Sequence, residues 1–163
     1  MSIGRKVASL RAMSPADRRR CGRALYTLAW LGPCLRLAGL TRCQRWLARR
    51  AGGTAVVRGA KALERAHEHA WALAVAVRNV PWRVRCLERS LALWWLLARD
   101  GISAEMRIGV RKLGRGIEAH AWVEVQGHPL DTAKIDQTYA PFPSPLLDAA
   151  TEVPLQPPRP GGR

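Results

Sequence analysis

Cys86 is the residue whose position in the chain best suits nucleophilic chemistry. It begins an apolar stretch that predicts a helix to Arg99, and Arg85 immediately precedes it. A thiol at a helix N-terminus lies at the positive end of the helix dipole, and a neighbouring guanidinium strengthens that field, so both favour the reactive thiolate. The alternative is a small buried apolar residue, the usual environment of a free cysteine. For the cysteines within other apolar helical patterns burial is the better interpretation: Cys21, Cys34 and Cys43.

His120 is the candidate general base. It lies within a predicted strand from Ile117 to Val125, between Glu118 and Trp122 and on the face opposite the alternating aliphatic residues. The alternative is a half-exposed strand histidine with no chemical role. Trp122, on the same face, would either shield the site or line a substrate cleft.

Asp131 is the candidate third member of the site. If Gln126-Gly127 form a two-residue loop, Trp122 pairs with Asp131, and Asp131 then projects on the face of His120, one diagonal step away. A three-residue loop would turn Asp131 to the opposite face. A carboxylate bonded to an imidazole fixes its tautomer and stabilises the imidazolium. Cys, His and Asp in this order would therefore supply nucleophile, base and orienting group.

The elements that position these residues begin with helices. Ser14 and Pro15 are preferred at an N-cap and a first helical position, so they predict a helix start. Helices are predicted at 14 to about 31, 33 to about 51, and about 60 to 78. The helix at Cys86 is too apolar for a surface element, so we expect it to be buried, with Gly101 as its C-terminal cap.

After Gly101 the apolar residues alternate, which predicts an antiparallel meander. The predicted fold class is therefore α+β: a helical N-terminal subdomain, then a core in which the cysteine-bearing helix packs on an antiparallel sheet. We assign residues 1–78 to the helical subdomain and 79–152 to the catalytic core. Residues 153–163 form a tail rich in Pro and Gly, which we expect to be extended or disordered.

The net charge of +15 over 163 residues lies mostly in the first helices, since residues 1–50 carry 12 Lys and Arg and one acid, Asp17. A hydrophobic fraction of 48% excludes a disordered basic protein. Basicity alone suits nucleic acid, an acidic protein or an anionic membrane surface. The chain has no recognition-helix signature, so no nucleic acid is expected. We predict that the basic helices, including Arg18, Arg19 and Arg20, form a docking face for a partner protein, a peptide substrate or an anionic membrane surface.

The sequence predicts no metal and no cofactor. It has no CxxC pair and no Cys/His spacing of a zinc site, and His67 and His69 lie on different faces of a predicted helix. Gly114-Arg115-Gly116 suits a hairpin turn better than a phosphate loop. No secretory signal is recognisable, and the most apolar run, 24–40, is broken by Gly32-Pro33. We therefore expect a cytoplasmic protein with reduced thiols.

Several short blocks resemble a known family as a set. They are C-L-E-R-S-L-A-L at 86–93, R-I-G-V-R at 107–111, A-H-A-W-V-E at 119–124, Gly127, and Y-A-P-F at 139–142. Together they resemble the transglutaminase-like leader peptidases of lasso-peptide biosynthesis, over about residues 80–142. The resemblance implies a papain-like cysteine protease fold and an enzyme that removes the leader from a ribosomally made precursor peptide.

In that family a Cys attacks the scissile carbonyl, a His acts as base and an Asp orients the His. The resemblance implies Cys86, His120 and Asp131 for these roles. One position departs from the family pattern, which commonly has Asn-Asp after the strand that follows the glycine, whereas this chain has Asp131-Thr132. The register argument favours Asp131, and Asp136 is the alternative.

The resemblance also implies partners. Some family members carry a fused leader-recognition domain and others use a separate small protein. Because the first 78 residues predict helices and no strand-rich module, a separate recognition protein is expected. A lasso cyclase resembling asparagine synthetases would then close the macrolactam ring of the freed core peptide with ATP. Two other functions stay open: an acyltransferase with the same triad, and a basic helical module that binds nucleic acid without catalysis and is indifferent to substitution of Cys86.

Overall fold

The computed structural model describes residues 13–51, 56–114, 116–130 and 139–141. Within these residues it contains four helices and a four-stranded antiparallel sheet, which confirms the predicted α+β fold class. The helices are α1 (Pro15–Ala38), α2 (Leu40–Ala51), α3 (Ala60–Asn79) and α4 (Cys86–Arg99). The strands are β1 (Glu105–Leu113), β2 (Gly116–Val125), β3 (His128–Pro129) and β4 (Ala140–Pro141).

The break between the first two helices lies at Gly39, so the predicted break at Gly32-Pro33 is wrong. α1 holds Pro33 in its interior. A proline removes its own backbone donor, but Leu31 is fully buried before it and Leu35 packs on the same core after it, so both halves of α1 stay in line. Gly39 has a φ of 74°, which costs glycine little, and its N–H closes the helix on the Leu35 carbonyl (3.1 Å).

All four helices and the first two strands share one hydrophobic core. Each helix contributes at least one fully buried leucine to it: Leu31, Leu47, Leu73, Leu91 and Leu97. α4 is buried without interruption from Ser90 to Leu97, which confirms that this helix is too apolar for the surface. The predicted division after residue 78 lies at the end of α3, between two helices, and stays a prediction. The predicted tail, 153–163, lies outside the described residues.

α4 ends in a Schellman motif at Gly101, as the sequence predicts. Gly101 has a φ of 72° and donates its N–H to the Ala98 carbonyl (3.2 Å), while Ile102 N–H bonds to the Leu97 carbonyl (3.0 Å). In the part of the chain that the structure describes, neither α4 nor any other helix is both long and apolar enough to span a membrane.

The sheet has the strand order β3-β2-β1-β4, and all pairings are antiparallel. The β2–β3 turn confirms the predicted two-residue loop, because Val125 pairs with His128 across Gln126 and Gly127. Both loop residues have positive φ, 54° and 76°, which is the signature of a type I′ turn. The same register continues to Leu130, whose N–H donates to the Val123 carbonyl (2.9 Å).

The burial of β2 differs from a simple two-faced strand. The aliphatic face is covered only in its second half, where Val123 and Val125 are buried, while Ile117 is 76% exposed near the hairpin tip. The opposite face is buried as well, since His120 and Trp122 are both covered. The centre of β2 therefore has protein on both sides, and this is where the candidate site lies.

Candidate active site

Cys86 is the first residue of α4, and its thiol is half-buried. The N-cap residue is Arg85, whose backbone N–H donates to Glu88 Oε2 (3.2 Å) in the first turn of the helix. The Arg85 side chain caps none of the amides of the first turn. Cys86 therefore lies at the positive end of the helix dipole, and the Arg85 guanidinium is next to it in sequence.

The other cysteines have environments that suit packing. Cys21 is buried, and burial raises the pKa of its thiol. Burial, followed by the contact with Cys34, raises the pKa of Cys43 to about 12, and the two sulfurs are 3.0 Å apart. A thiol with so high a pKa is protonated at neutral pH and is a poor nucleophile.

His120 is buried, 9% exposed, so the alternative of a half-exposed strand histidine is wrong. Its ring lies among aromatic side chains. The Trp122 ring is stacked at 6.4 Å between centroids with an interplanar angle of 13°, and the Tyr139 ring is 5.5 Å away. A histidine enclosed in this way has its ring orientation fixed by packing.

A buried hydrogen bond joins α4 to β2 next to this histidine. Ser90 Oγ donates to the backbone carbonyl of Ala121 (2.8 Å), and Ala121 directly follows His120. Ser90 lies four residues after Cys86, so the two side chains project from the same face of α4. This contact defines a junction between α4 and β2, one helical turn after Cys86 and next to His120 in sequence.

Tyr139 packs against the β2 side of this junction. Burial raises the pKa of its phenol; the Arg111 guanidinium opposes this rise, while a hydrogen bond with Glu118 and the charge of a Cys86 thiolate add to it. Tyr139 is thus within electrostatic range of Cys86 while its ring packs on His120. It precedes β4, which pairs with β1 on the side away from β2, so the Tyr139 ring reaches His120 across β1.

A charged pair supports Tyr139 from the outer side. Arg111 Nε donates to Glu118 Oε2 (2.7 Å), and the same guanidinium lies 4.8 Å from the centroid of the Tyr139 ring. Arg111 and Glu118 are cross-strand partners of the β1–β2 hairpin. Glu118, predicted beside His120, therefore forms its contacts with Tyr139 and Arg111.

Trp122 depends on a glycine in the neighbouring strand. A Cβ at Gly109 would lie 2.9 Å from two atoms of the indole and 3.0 Å from the Ala140 carbonyl oxygen. The indole therefore lies against Gly109 of β1, and its Nε1 donates to Glu124 Oε1 on β2 itself (2.7 Å). Trp122 is 5% exposed, so of its two predicted roles the structure favours shielding of the site over lining of an open cleft.

Asp131 and its alternative Asp136 lie outside the described residues. The register that predicts Asp131 on the face of His120 is observed as far as Leu130. The role of Asp131 stays a prediction.

Two contributors to this region have no role in the sequence argument, Ser90 and Tyr139. Both fall inside the blocks that carry the family resemblance, and the spacing of Ser90 from Cys86 is one helical turn, which is the signal that could have identified it. Nothing in the sequence alone places Tyr139 beside His120, because the contact depends on the pairing of β4 with β1.

His69 and Asp100 form a second polar cluster, which the sequence argument did not foresee. His69 Nε2 and Asp100 Oδ2 are 2.8 Å apart, and Arg23 donates to both oxygens of the same carboxylate (2.7 and 3.2 Å). Within the described residues no three His, Cys, Asp or Glu side chains are grouped as metal ligands would be.

A scan against protein families matches the chain to the transglutaminase-like superfamily over residues 28–144. The match covers more than half of the chain and begins inside α1, so most of the helical half is part of the family domain. Searches of curated proteins and of solved structures gave no match.

Proposed function

Because the chain belongs to the transglutaminase-like superfamily, whose members are typically cysteine proteases and acyltransferases, we propose that it is a cysteine endopeptidase with Cys86 as its nucleophile. The observation that carries the proposal is the Ser90–Ala121 hydrogen bond, which holds the start of α4 against β2 beside His120. Cys86 is the cysteine at a helix N-terminus, and its partner would be a buried imidazole.

The proposed reaction has two halves. His120 takes the proton of Cys86, and the sulfur attacks the scissile carbonyl while the backbone N–H of Cys86 stabilises the oxyanion. The C–N bond then breaks, and His120 gives its proton to the leaving amine, which becomes the new N-terminus of the downstream peptide. Water activated by His120 next hydrolyses the thioester and releases the upstream peptide, and Asp131 orients the imidazole throughout.

The substrate we propose is the precursor of a lasso peptide, cut between leader and core. This rests on the blocks around Cys86 and His120, which resemble those of lasso leader peptidases as a set. The partners would be the precursor, a separate leader-recognition protein and a cyclase that closes the macrolactam, all acting in the cytoplasm.

The test is leader removal in cells that produce the chain together with a lasso precursor and recognition protein. Cys86→Ala should abolish cleavage. Cys34→Ala is the matched control, because Cys34 is also half-buried but lies on α1, and it should leave cleavage intact. Continued cleavage by Cys86→Ala would contradict the proposal.

The mass of the product distinguishes a peptidase from an acyltransferase. Both would form the same thioester, but hydrolysis adds water to the leader, whereas acyl transfer adds an amine. If the leader product carries an acceptor amine, the chain is an acyltransferase and not a peptidase, with Cys86 still as its nucleophile.

A further inference from the structure

A groove lies between α1, α2 and α4, at the far end of α4 from Cys86. Its volume is about 650 Å³, within the range of about 300–1,000 Å³ typical of ligand pockets. Arg99 at this end of α4 is 13 residues from Cys86, about 20 Å along the helix axis at 1.5 Å per residue. The groove is therefore separate from the candidate active site. We call it the aromatic groove, and the residues that define it are Tyr26, Trp30, Trp46, Arg50, Trp95 and Arg99.

The aromatic groove exposes large rings. Tyr26 is 74% exposed and Trp46 is 42% exposed. Trp46 meets Trp30 edge to face, with 5.6 Å between ring centroids, and Trp95 forms a buried wall of the groove. Several aromatic rings that converge on one open concavity mark an interaction site, whereas isolated exposed apolar residues do not.

Two cations of the groove have rings as partners. The Arg50 guanidinium lies 4.1 Å from the centroid of Trp46, and the Arg99 guanidinium lies 5.6 Å from that of Trp95. Neither forms an ion pair with a carboxylate of residues 13–51, 56–114, 116–130 or 139–141. These two arginines leave the groove with positive charge that no described acid neutralises.

The remaining cation of the groove is already neutralised. Arg23 is bonded to the Asp100 carboxylate, which also contacts His69. That carboxylate is therefore occupied and does not compensate Arg50 or Arg99. The groove thus combines an apolar aromatic wall with two guanidinium groups available to an anionic partner.

We propose that the aromatic groove binds an acidic peptide segment of a partner protein. A carboxylate of that segment would pair with Arg50 and Arg99 while they keep their contacts with the indoles, since a guanidinium can stack on a ring and donate in its plane at once. An apolar side chain of the segment would pack on the exposed rings of Tyr26 and Trp46. Trp, Tyr and Arg are the residues enriched in the energetic centres of protein interfaces, and this groove is built from them.

Other anionic partners fit the groove less well. Nucleic acid affinity depends on many cations that follow the phosphate backbone, and the groove offers two. A membrane surface requires an apolar face that protrudes, and these rings line a concavity.

Calorimetric titration of the full chain tests the proposal. The probe is a blocked synthetic peptide of alternating Glu and Leu with a central Phe, and the comparison is the same peptide with every Glu replaced by Gln. We expect the acidic peptide to bind and the Gln peptide to bind at least about tenfold more weakly, with an affinity that falls as salt is added.

Two double variants test whether the peptide binds in the aromatic groove. Arg50→Gln with Arg99→Gln should weaken the acidic peptide at least about tenfold. Both arginines are exposed, so the fold should survive, and a thermal melt verifies this. Arg18→Gln with Arg19→Gln removes the same charge from exposed positions of α1 outside the groove and should leave the affinity unchanged.

Three results would overturn the proposal. They are equal binding of the acidic and Gln peptides, equal loss in the two double variants, and binding of an oligonucleotide or anionic phospholipid vesicles that depends on Arg50 and Arg99 while the peptide does not bind. Cys86→Ala should bind the acidic peptide like the wild type, so the groove can be tested whether or not the chain is a peptidase.

Discussion

Ser90 donates a buried hydrogen bond of 2.8 Å to the backbone carbonyl of Ala121. It connects the helix that begins with Cys86 to the strand that carries His120. Along the chain, this buried contact lies one helical turn after the proposed nucleophile and one residue after the proposed base.

Ser90→Ala should lower both stability and activity. The Ala121 carbonyl would stay buried without this donor, which costs about 1–3 kcal/mol in the free energy of unfolding. Denaturant unfolding measures the stability, and the rate of leader removal, measured where the variant is folded, should fall as well. Ser103→Ala, at an exposed position, should change stability by less than about 0.5 kcal/mol. Wild-type stability in Ser90→Ala would show that the bond contributes nothing.

His120→Asn should reduce leader removal by about 10²- to 10⁴-fold, the usual contribution of a general base. A second measurement needs no substrate: alkylation of Cys86 by iodoacetamide should slow, because the thiolate loses its imidazolium partner. His128→Asn is the matched control, since His128 is exposed in β3. Unchanged cleavage and alkylation in His120→Asn would remove His120 from the proposed mechanism.

Gly109→Ala should destabilise the sheet. The new methyl group would lie 2.9 Å from the Trp122 indole and 3.0 Å from the Ala140 carbonyl oxygen, so a ring or a strand must move. Overpacking of this kind costs about 1–3 kcal/mol. In Gly116→Ala the new group would meet only the Leu113 carbonyl oxygen at 3.6 Å, an ordinary contact, so its unfolding midpoint should change less. Equal effects of the two variants would argue against the tight Trp122 contact.

Gly22→Ala should stabilise the protein by about 1 kcal/mol, because alanine is the better helix former. Gly22 lies inside α1, and a Cβ there would meet no atom within 4 Å. The opposite effect is expected for Gly39→Ala, whose φ of 74° strains any residue with a side chain. Thermal unfolding of both variants tests the position of the helix break, and a stabilised Gly39→Ala would contradict it.

The His69 cluster predicts a pH dependence of stability. Burial lowers the pKa of His69, and the neighbouring Arg23 and Arg20 act in the same direction, although Asp100 opposes them. Because the folded pKa is depressed, the unfolded chain binds more protons, and the free energy of unfolding falls as the pH drops below about 6.5. His69→Gln should flatten this fall between pH 7.5 and 5.5. His67→Gln, at an exposed position of the same helix, should keep it, and an equal slope in all three proteins would contradict the assignment.

Local sequence rules predict most of the helix ends and turns of this chain. They fail where tertiary contacts determine the structure. Ser14 caps α1, Gly101 ends α4 and Gln126-Gly127 close the hairpin as their residue types predict. Pro33 misled the prediction of the helix break, because burial on both sides of it outweighs one missing backbone donor. The deep burial of Trp122 and His120 could not be predicted from local sequence either, since it depends on Tyr139 and on a glycine in the adjacent strand.

The candidate site also combines one feature that the sequence predicts with one that depends on tertiary contacts. The position of Cys86 at a helix start is a local property and follows from its neighbours in sequence. The packing of this helix on the strand of His120 is a long-range property, to which the Ser90–Ala121 hydrogen bond contributes. The docking face predicted from charge at Arg18, Arg19 and Arg20 stays a prediction, although Arg20 is already engaged by Asp17 and Glu68 (3.0 and 2.6 Å).

The continuous burial of α4 from Ser90 to Leu97 has a consequence for motion. Amide hydrogens in such a segment exchange with solvent only when the whole molecule opens, whereas those of frayed helix ends exchange through local opening. Cys86 stands at the N-terminal end of α4, outside this segment, and is half-buried. A thiol-reactive probe should therefore react with Cys86 in the folded protein, whereas exchange of the amides from Ser90 to Leu97 reports global unfolding.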